Sequence, residues 1–152
     1  MRTPSRTAGD WNDPRASAEV IFEEWLDTGD VMRVDDDGYL WFCGRQKQII
    51  IHDGSNIAPQ EVEEALLAHP AVESVGVVGL RDLVHGENVR AYVALKPGVP
   101  APKALELIKL ARVGYKAPEE IVFLDAMPLN ATGKVDRVAL KALAAGDHAH
   151  QL

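Results

Sequence analysis

Near the C-terminus runs Pro128-Leu129-Asn130-Ala131-Thr132-Gly133-Lys134-Val135-Asp136-Arg137. Proline, asparagine, threonine and glycine in close order mark an exposed loop, and a lysine directly follows the glycine. A flexible ammonium on such a loop can be carried to phosphate or carboxylate oxygens that the rest of the domain does not enclose. Thr132-Gly133-Lys134 alone suits a solvated lysine ahead of a C-terminal helix better. Three further groupings stand upstream: Thr28-Gly29-Asp30, Gly44-Arg45-Gln46-Lys47, and Gly54 ahead of Pro59-Gln60-Glu61-Val62-Glu63. Each is a weak signal by itself.

The elements that must position these residues are set out by periodicity and punctuation. Residues 16–26 read as a short helix, with Val20, Ile21 and Trp25 near helical spacing and Glu19, Glu23 and Glu24 on the other face. A lone amphipathic helix of this kind has little of its own to pack against. Two β-prone runs, 31–34 and 39–43, flank Asp35-Asp36-Asp37-Gly38, a strong hairpin signal. The aspartates read as turn residues, since a calcium loop needs alternating acids and a later glutamate. After 48–51, the stretch His52-Asp53-Gly54-Ser55-Asn56 is a break. A helix then opens at Pro59, carries Val62, Ala65 and Leu66 on one face, and ends at His69-Pro70. Strands are expected at 72–79 and 88–95, a helix at 103–112, a short strand at 121–124 and a last helix at 136–144. In 88–95, Val89, Ala91, Val93 and Leu95 alternate with Arg90 and Tyr92, which implies two differing faces. The fold class is therefore α+β: a small three-stranded sheet covered by helices, preceded by a β-hairpin that does not fit into that unit.

Composition narrows the function classes. A chain of 152 residues with net charge -7 lacks the basic surplus that non-specific nucleic-acid binding needs. The single cysteine, Cys43, allows neither an internal disulfide nor a thiolate metal cluster. His69 reads as a helix-end residue, and His148 and His150 as parts of a mobile tail, so no metal site is expected. No stretch is apolar for long enough to span a bilayer, and the basic start lacks the apolar segment of a secretory signal, which makes a cytoplasmic location the expectation.

Taken together, in this order and spacing, the four groupings closely resemble the C-terminal part of the adenylate-forming (ANL) superfamily. That superfamily includes AMP-forming acyl-CoA synthetases, peptide-synthetase adenylation domains and firefly-type luciferases, and the resemblance runs from about Trp11 to Leu143. It implies a two-step reaction in which ATP and a carboxylic acid give an acyl-adenylate and pyrophosphate. A thiol such as coenzyme A then displaces AMP. A small C-terminal lid swings about a hinge between the steps. The resemblance assigns Lys134 to catalysis of adenylation, Asp30 and Arg45 to the nucleotide, Lys47 to the hinge, and Gly54 to the path of coenzyme A, with no metal ligand in the chain. ATP, AMP and coenzyme A enter as substrates, and Mg2+ only through a large N-terminal adenylation domain.

That large domain, with its Ser/Thr/Gly-rich phosphate loop and acyl pocket, is expected as the partner of this chain, because no such loop occurs here. On this reading residues 1–46 are the terminal remnant of the large domain, 47–145 the lid and 146–152 a disordered tail. Lys47 and Tyr115-Lys116-Ala117-Pro118 resemble the acyl-CoA synthetase form rather than the peptide-synthetase form, which usually has aspartate at the hinge. Ile51 stands where luciferases have a lysine, and no role is carried over there. The function expected is the lid of an AMP-forming acyl-CoA ligase, of the kind used in fatty acid metabolism, inactive alone. A stand-alone binding or regulatory domain, a peptide-synthetase lid, and a truncated product without activity are the other readings.

Overall fold

The computed structural model describes residues 1–100, 106–107 and 117–148. The chain divides into two compact units, Met1–Lys47 and Gln48–Leu152.

The first unit opens with α1 (Pro14–Val20), capped by Asp13, whose carboxylate accepts from Ala16 N at 2.9 Å. The helix expected over 16–26 stops at Val20. The rest of that segment is a minimal hairpin of β1 (Ile21–Phe22) and β2 (Trp25–Leu26), paired Ile21↔Leu26 and Phe22↔Trp25. Glu23 turns the chain at φ +53, and branched and aromatic side chains favour the extended pairing over a longer helix. The anticipated hairpin follows as β3 (Asp30–Val34) and β4 (Leu40–Arg45). Asp35 builds its turn: Oδ1 accepts from Asp37 N and Tyr39 N, Oδ2 accepts from Trp41 Nε1 at 2.6 Å, and these bonds hold its carboxyl below the usual range. Only Gly44 is buried in this unit, and Phe22, Trp25, Trp41 and Phe42 are each about half exposed. It has no hydrophobic core of its own.

The second unit is built on a sheet of five strands: β5 (Ile50–His52), β6 (Ser55–Ile57), β7 (Val72–Asp82), β8 (Gly86–Leu95) and β9 (Glu120–Leu124). β8 is central. β7 lies antiparallel along one side of it, from Val72↔Leu95 to Asp82↔Gly86, and β9 lies parallel along residues 90–94 on the other. These are the three strands expected. The sheet is wider than three because β5 also joins β8, through His52↔Gly86, and brings β6 with it. The stretch 52–56, expected as a break, is the tight turn of that hairpin.

Helices cover both faces. α2 (Pro59–Leu67) starts at a proline, carries Glu61 in its first turn, and buries Val62 and Leu66 against Ile50, Ile57, Val75, Val77, Val89, Ala91 and Val93. Leu107, in the described helical pair 106–107, joins this core; the rest of the expected 103–112 helix lies outside the described residues. On the opposite face, α3 (Arg137–His148) buries Leu140 against Val78 and Tyr92, with Leu80, Val122, Leu124, Met127 and Val135 at its margin. The alternation of β8 thus separates two cores rather than a core from solvent, and Arg90 and Tyr92 are both buried. His69 closes the end of α2 by accepting from Ala71 N at 3.2 Å. α3 continues to His148, beyond the start of the expected tail, whereas His150 lies outside the described residues.

Candidate functional site

In the first unit, Asp30 and Arg45 stand directly opposite each other in the β3–β4 register, so both side chains project from one face. Arg45 Nε lies 2.9 Å from Asp30 Oδ1, and Nη1 donates to Thr28 O at 2.7 Å. The approach to Oδ1 is off-line, and this buried oxygen has no aligned hydrogen bond. The arrangement is a charge pair that leaves acceptor capacity on the carboxylate and donors on a half-exposed guanidinium. Thr28 and Gly29 shape the approach to the pair. Thr28 Oγ1 accepts from Asp30 N, Gly29 turns the chain at φ +67, and Gln46 N donates to Gly29 O at 2.8 Å. The Thr-Gly-Asp grouping thereby locks the strand start to the residue following Arg45.

Lys47 is exposed, in a 3-10 turn over Gln46–Gln48, and is the last residue of the first compact unit. Gly54 is the second central residue of the β5–β6 turn. Asp53 and Gly54 have φ +48 and +74, the pattern of a type I′ turn, which explains Asp-Gly between short strands. A side chain at Gly54 would meet nothing within 4 Å, so backbone conformation rather than local crowding calls for glycine here.

Lys134 is exposed, on a loop held rigid by one asparagine. Asn130 Oδ1 accepts from Thr132 N (3.0 Å), Thr132 Oγ1 (2.7 Å) and Lys134 N (3.0 Å). Its backbone accepts from Gly133 N and donates to Lys134 O, and Gly133 sits at φ +76. Among the described residues no carboxylate pairs with Lys134, so its charge remains available to a ligand. Leu129 bridges Val135, and Asp136 N donates to Pro128 O, closing the base of the loop. Asp136 then caps α3, accepting from Val138 N and Ala139 N.

Three residues seat this loop: Glu63 and Arg137 close two of the sequence groupings without a role read for them there, and Gly76 lies outside every grouping. Arg137 Nη2 donates to Glu63 Oε1 at 2.6 Å and Nε to Val77 O at 3.3 Å, while Glu63 Oε1 also accepts from Val77 N at 2.8 Å. The loop is thus fastened to both α2 and β7. Gly76 makes the close approach possible, since a Cβ there would lie 2.5 Å from Leu140 Cδ1 and 2.7 Å from Val135 Cγ1. Glu63 and Arg137 are 74 positions apart, so only a wider pattern of paired charges could have linked them.

The structure brings Asp30 and Arg45 together. Lys134 and Gly54 occupy separate loops of the second unit, one leading into α3 and the other joining β5 to β6.

Residues 61–134 match the AMP-binding enzyme C-terminal domain. The chain is 40% identical over 145 residues to a 2-succinylbenzoate–CoA ligase of Geobacillus kaustophilus, covering 94% of this chain and 30% of that protein. An amide bond synthetase from Marinactinospora thermotolerans superposes with a TM-score of 0.84 at 34% identity, over 93% of this chain and 30% of that one. An o-succinylbenzoate CoA synthetase from Bacillus subtilis, solved with its acyl-adenylate intermediate, gives a TM-score of 0.83 at 36% identity, over 92% and 29%. The chain spans about 30% of the length of the relatives it matches.

Proposed function

Because the chain belongs to the AMP-binding enzyme C-terminal domain family of adenylate-forming enzymes, we propose that it acts as the lid of an AMP-forming acyl-CoA ligase. The observation that carries this reading is the pre-shaped loop that presents Lys134, exposed and without a carboxylate partner among the described residues. A carboxylate attacking the α-phosphorus of ATP brings negative charge together at the bond being formed. An ammonium held there on a rigid loop lowers the barrier by meeting charge that peaks in the transition state. Asp30, with free acceptor capacity, suits the ribose hydroxyls, and Arg45 suits ribose or phosphate oxygens. Pyrophosphate leaves, and in the second step a thiol of coenzyme A attacks the acyl carbon and expels AMP.

Lys47, ending one compact unit, is the residue whose torsions change as the lid turns between these steps. Gly54 then lies along the thiol's path. The domain reading assigns residues 1–46 to the edge of a large adenylation domain, 47–145 to the lid and 146–152 to a tail. The lack of a buried core in the first unit supports it, since half-exposed aromatic side chains such as Trp25, Trp41 and Phe42 call for an apolar partner body. Mg2+ and the acyl pocket belong to that body, and a cytoplasmic setting suits the use of ATP and coenzyme A.

The test is to mix the chain with the large domain of a 2-succinylbenzoate–CoA ligase and follow acid-dependent pyrophosphate exchange. Lys134→Ala should lower the restored exchange by about 100-fold or more while leaving folding unchanged. Exchange that is restored equally by wild type and Lys134→Ala refutes the assignment. The similarity to an amide bond synthetase favours a second reading of the last step only, with an amine in place of the thiol. Supplying coenzyme A or an amine to the preformed adenylate and measuring AMP release separates the two.

A further inference from the structure

Two turns meet at the β5 end of the sheet, and their side chains form a group that neither the lid reading nor the sequence motifs use. β5 ends at His52, Asp53 begins the turn to β6, and His85 lies in the turn between β7 and β8. The pairing His52↔Gly86 sets the two turns side by side, and Asp53 N donates to His85 O at 2.9 Å. His52 Nδ1 is 2.7 Å from Glu87 O. A carbonyl only accepts, so Nδ1 carries the proton and Nε2 of the neutral ring presents its lone pair. This is the orientation that a backbone carbonyl imposes on metal-ligating histidines. Nε2 faces Asp53 Oδ2 at 3.7 Å and Glu119 Oε1 at 3.6 Å, and the ring stacks on His85 with centroids 5.3 Å apart. His85 Nδ1 lies 2.8 Å from Asp53 Oδ1.

We propose that His52, Asp53 and His85 form a site for a divalent transition-metal ion such as Zn2+, bound through His52 Nε2, an Asp53 carboxylate oxygen and a ring nitrogen of His85. One ligand atom from each lies within 4.8 Å of the others. A tetrahedral ion with bonds of about 2.1 Å holds its ligands about 3.4 Å apart, within reach of side-chain rotation alone. Glu119 or water completes the shell. Two imidazoles and one carboxylate favour Zn2+, Co2+ or Ni2+ over Mg2+ and Ca2+, which take oxygen ligands. The ion displaces the proton held between His85 and Asp53, and that proton is released to solvent.

The consequence is local. β5 joins β8 through a single residue pair, so a bound ion would cross-link the weakest seam of the sheet and brace the turn that carries Gly54. The proposal stands whether or not the lid reading does. Acid should oppose binding. The charged groups facing His52 are Asp53 and Glu119, and those facing His85 are Asp53, Asp82 and Glu119; protons compete with the ion for the ring nitrogens of both.

The test is calorimetric titration of the full chain with ZnCl2 near neutral pH, with Co2+ absorption reporting the ligand set. One ion per chain is expected, with Asp53→Asn and His85→Gln each weakening Zn2+ at least about tenfold. Asn tolerates the left-handed φ +48 of Asp53, so that variant keeps the turn. His148→Gln/His150→Gln should bind as wild type does, and Mg2+ should not compete. Absence of binding up to about millimolar Zn2+ overturns the site. So does binding that persists in Asp53→Asn and His85→Gln, or that disappears in the tail variant.

Discussion

Removing Arg137 tests whether the lysine loop is held in place from a distance. The side chain makes a charge-assisted bond of 2.6 Å to Glu63 and a longer one to Val77 O, and the two side chains are 24% and 14% exposed. A fully exposed pair is worth about 1 kcal/mol or less, and breaking a fully buried one costs about 3–5 kcal/mol. With most of both side chains out of water, Arg137→Ala should cost about 2–3 kcal/mol, near the range for hydrogen bonds to charged groups. Part of that cost comes from Glu63, left with Val77 N as its one hydrogen-bond donor among the described residues. For a domain of about this size the loss corresponds to roughly 8–12 °C in Tm. Urea unfolding and calorimetry measure it. A cycle with Glu63→Gln isolates the pair and should return a coupling of about 1–2 kcal/mol. Arg137→Lys keeps the charge but loses the two-pronged donor geometry, so it should fall in between. Val138, next in sequence and 80% exposed, is the control, and its replacement by alanine should leave Tm nearly unchanged. A Tm for Arg137→Ala within about 1 °C of wild type, or a coupling of zero, refutes the anchoring argument.

Gly76→Ala places a methyl against Leu140 and Val135, and overpacking of this kind should destabilise by about 1–3 kcal/mol in urea. Gly54→Ala meets no neighbour, so its cost should be the left-handed backbone alone, about 1–2 kcal/mol; Gly54→Asn should recover much of it. NMR titration should find the His85 ring above its ordinary range, raised by its hydrogen bond to Asp53 and then by the charge of Asp53, and Asp53→Asn should bring it down. Since the folded value is the raised one, the stability this contact adds is present at acid pH and fades as pH rises through the folded titration.

The class of the fold was legible from one-dimensional patterns because each rests on local chemistry. Alternation in 88–95 marks a strand, Asp37-Gly38 marks a turn, and Pro59 with Glu61 marks a helix start. Where two local patterns competed, sequence reading went astray. Residues 16–26 have helical spacing of apolar side chains, yet Ile21, Phe22 and Trp25 pair as a hairpin. The same limit hid β5 and β6, because runs of three residues such as 50–52 and 55–57 carry too little periodicity to declare themselves.

The sequence by itself determined the identity of the chemical groups and the shape of their immediate loops. Asn130 and Gly133 specify the turn under Lys134, and Asp53-Gly54 specifies another, through hydrogen bonds and φ values that span only a few residues. Tertiary structure alone decided which distant residues share a surface. Register sets Asp30 against Arg45, helix packing over Gly76 sets Arg137 on Glu63, and one strand pair sets His52 beside His85. Such contacts depend on burial and pairing summed over the whole sheet, and no stretch of the chain contains that information locally.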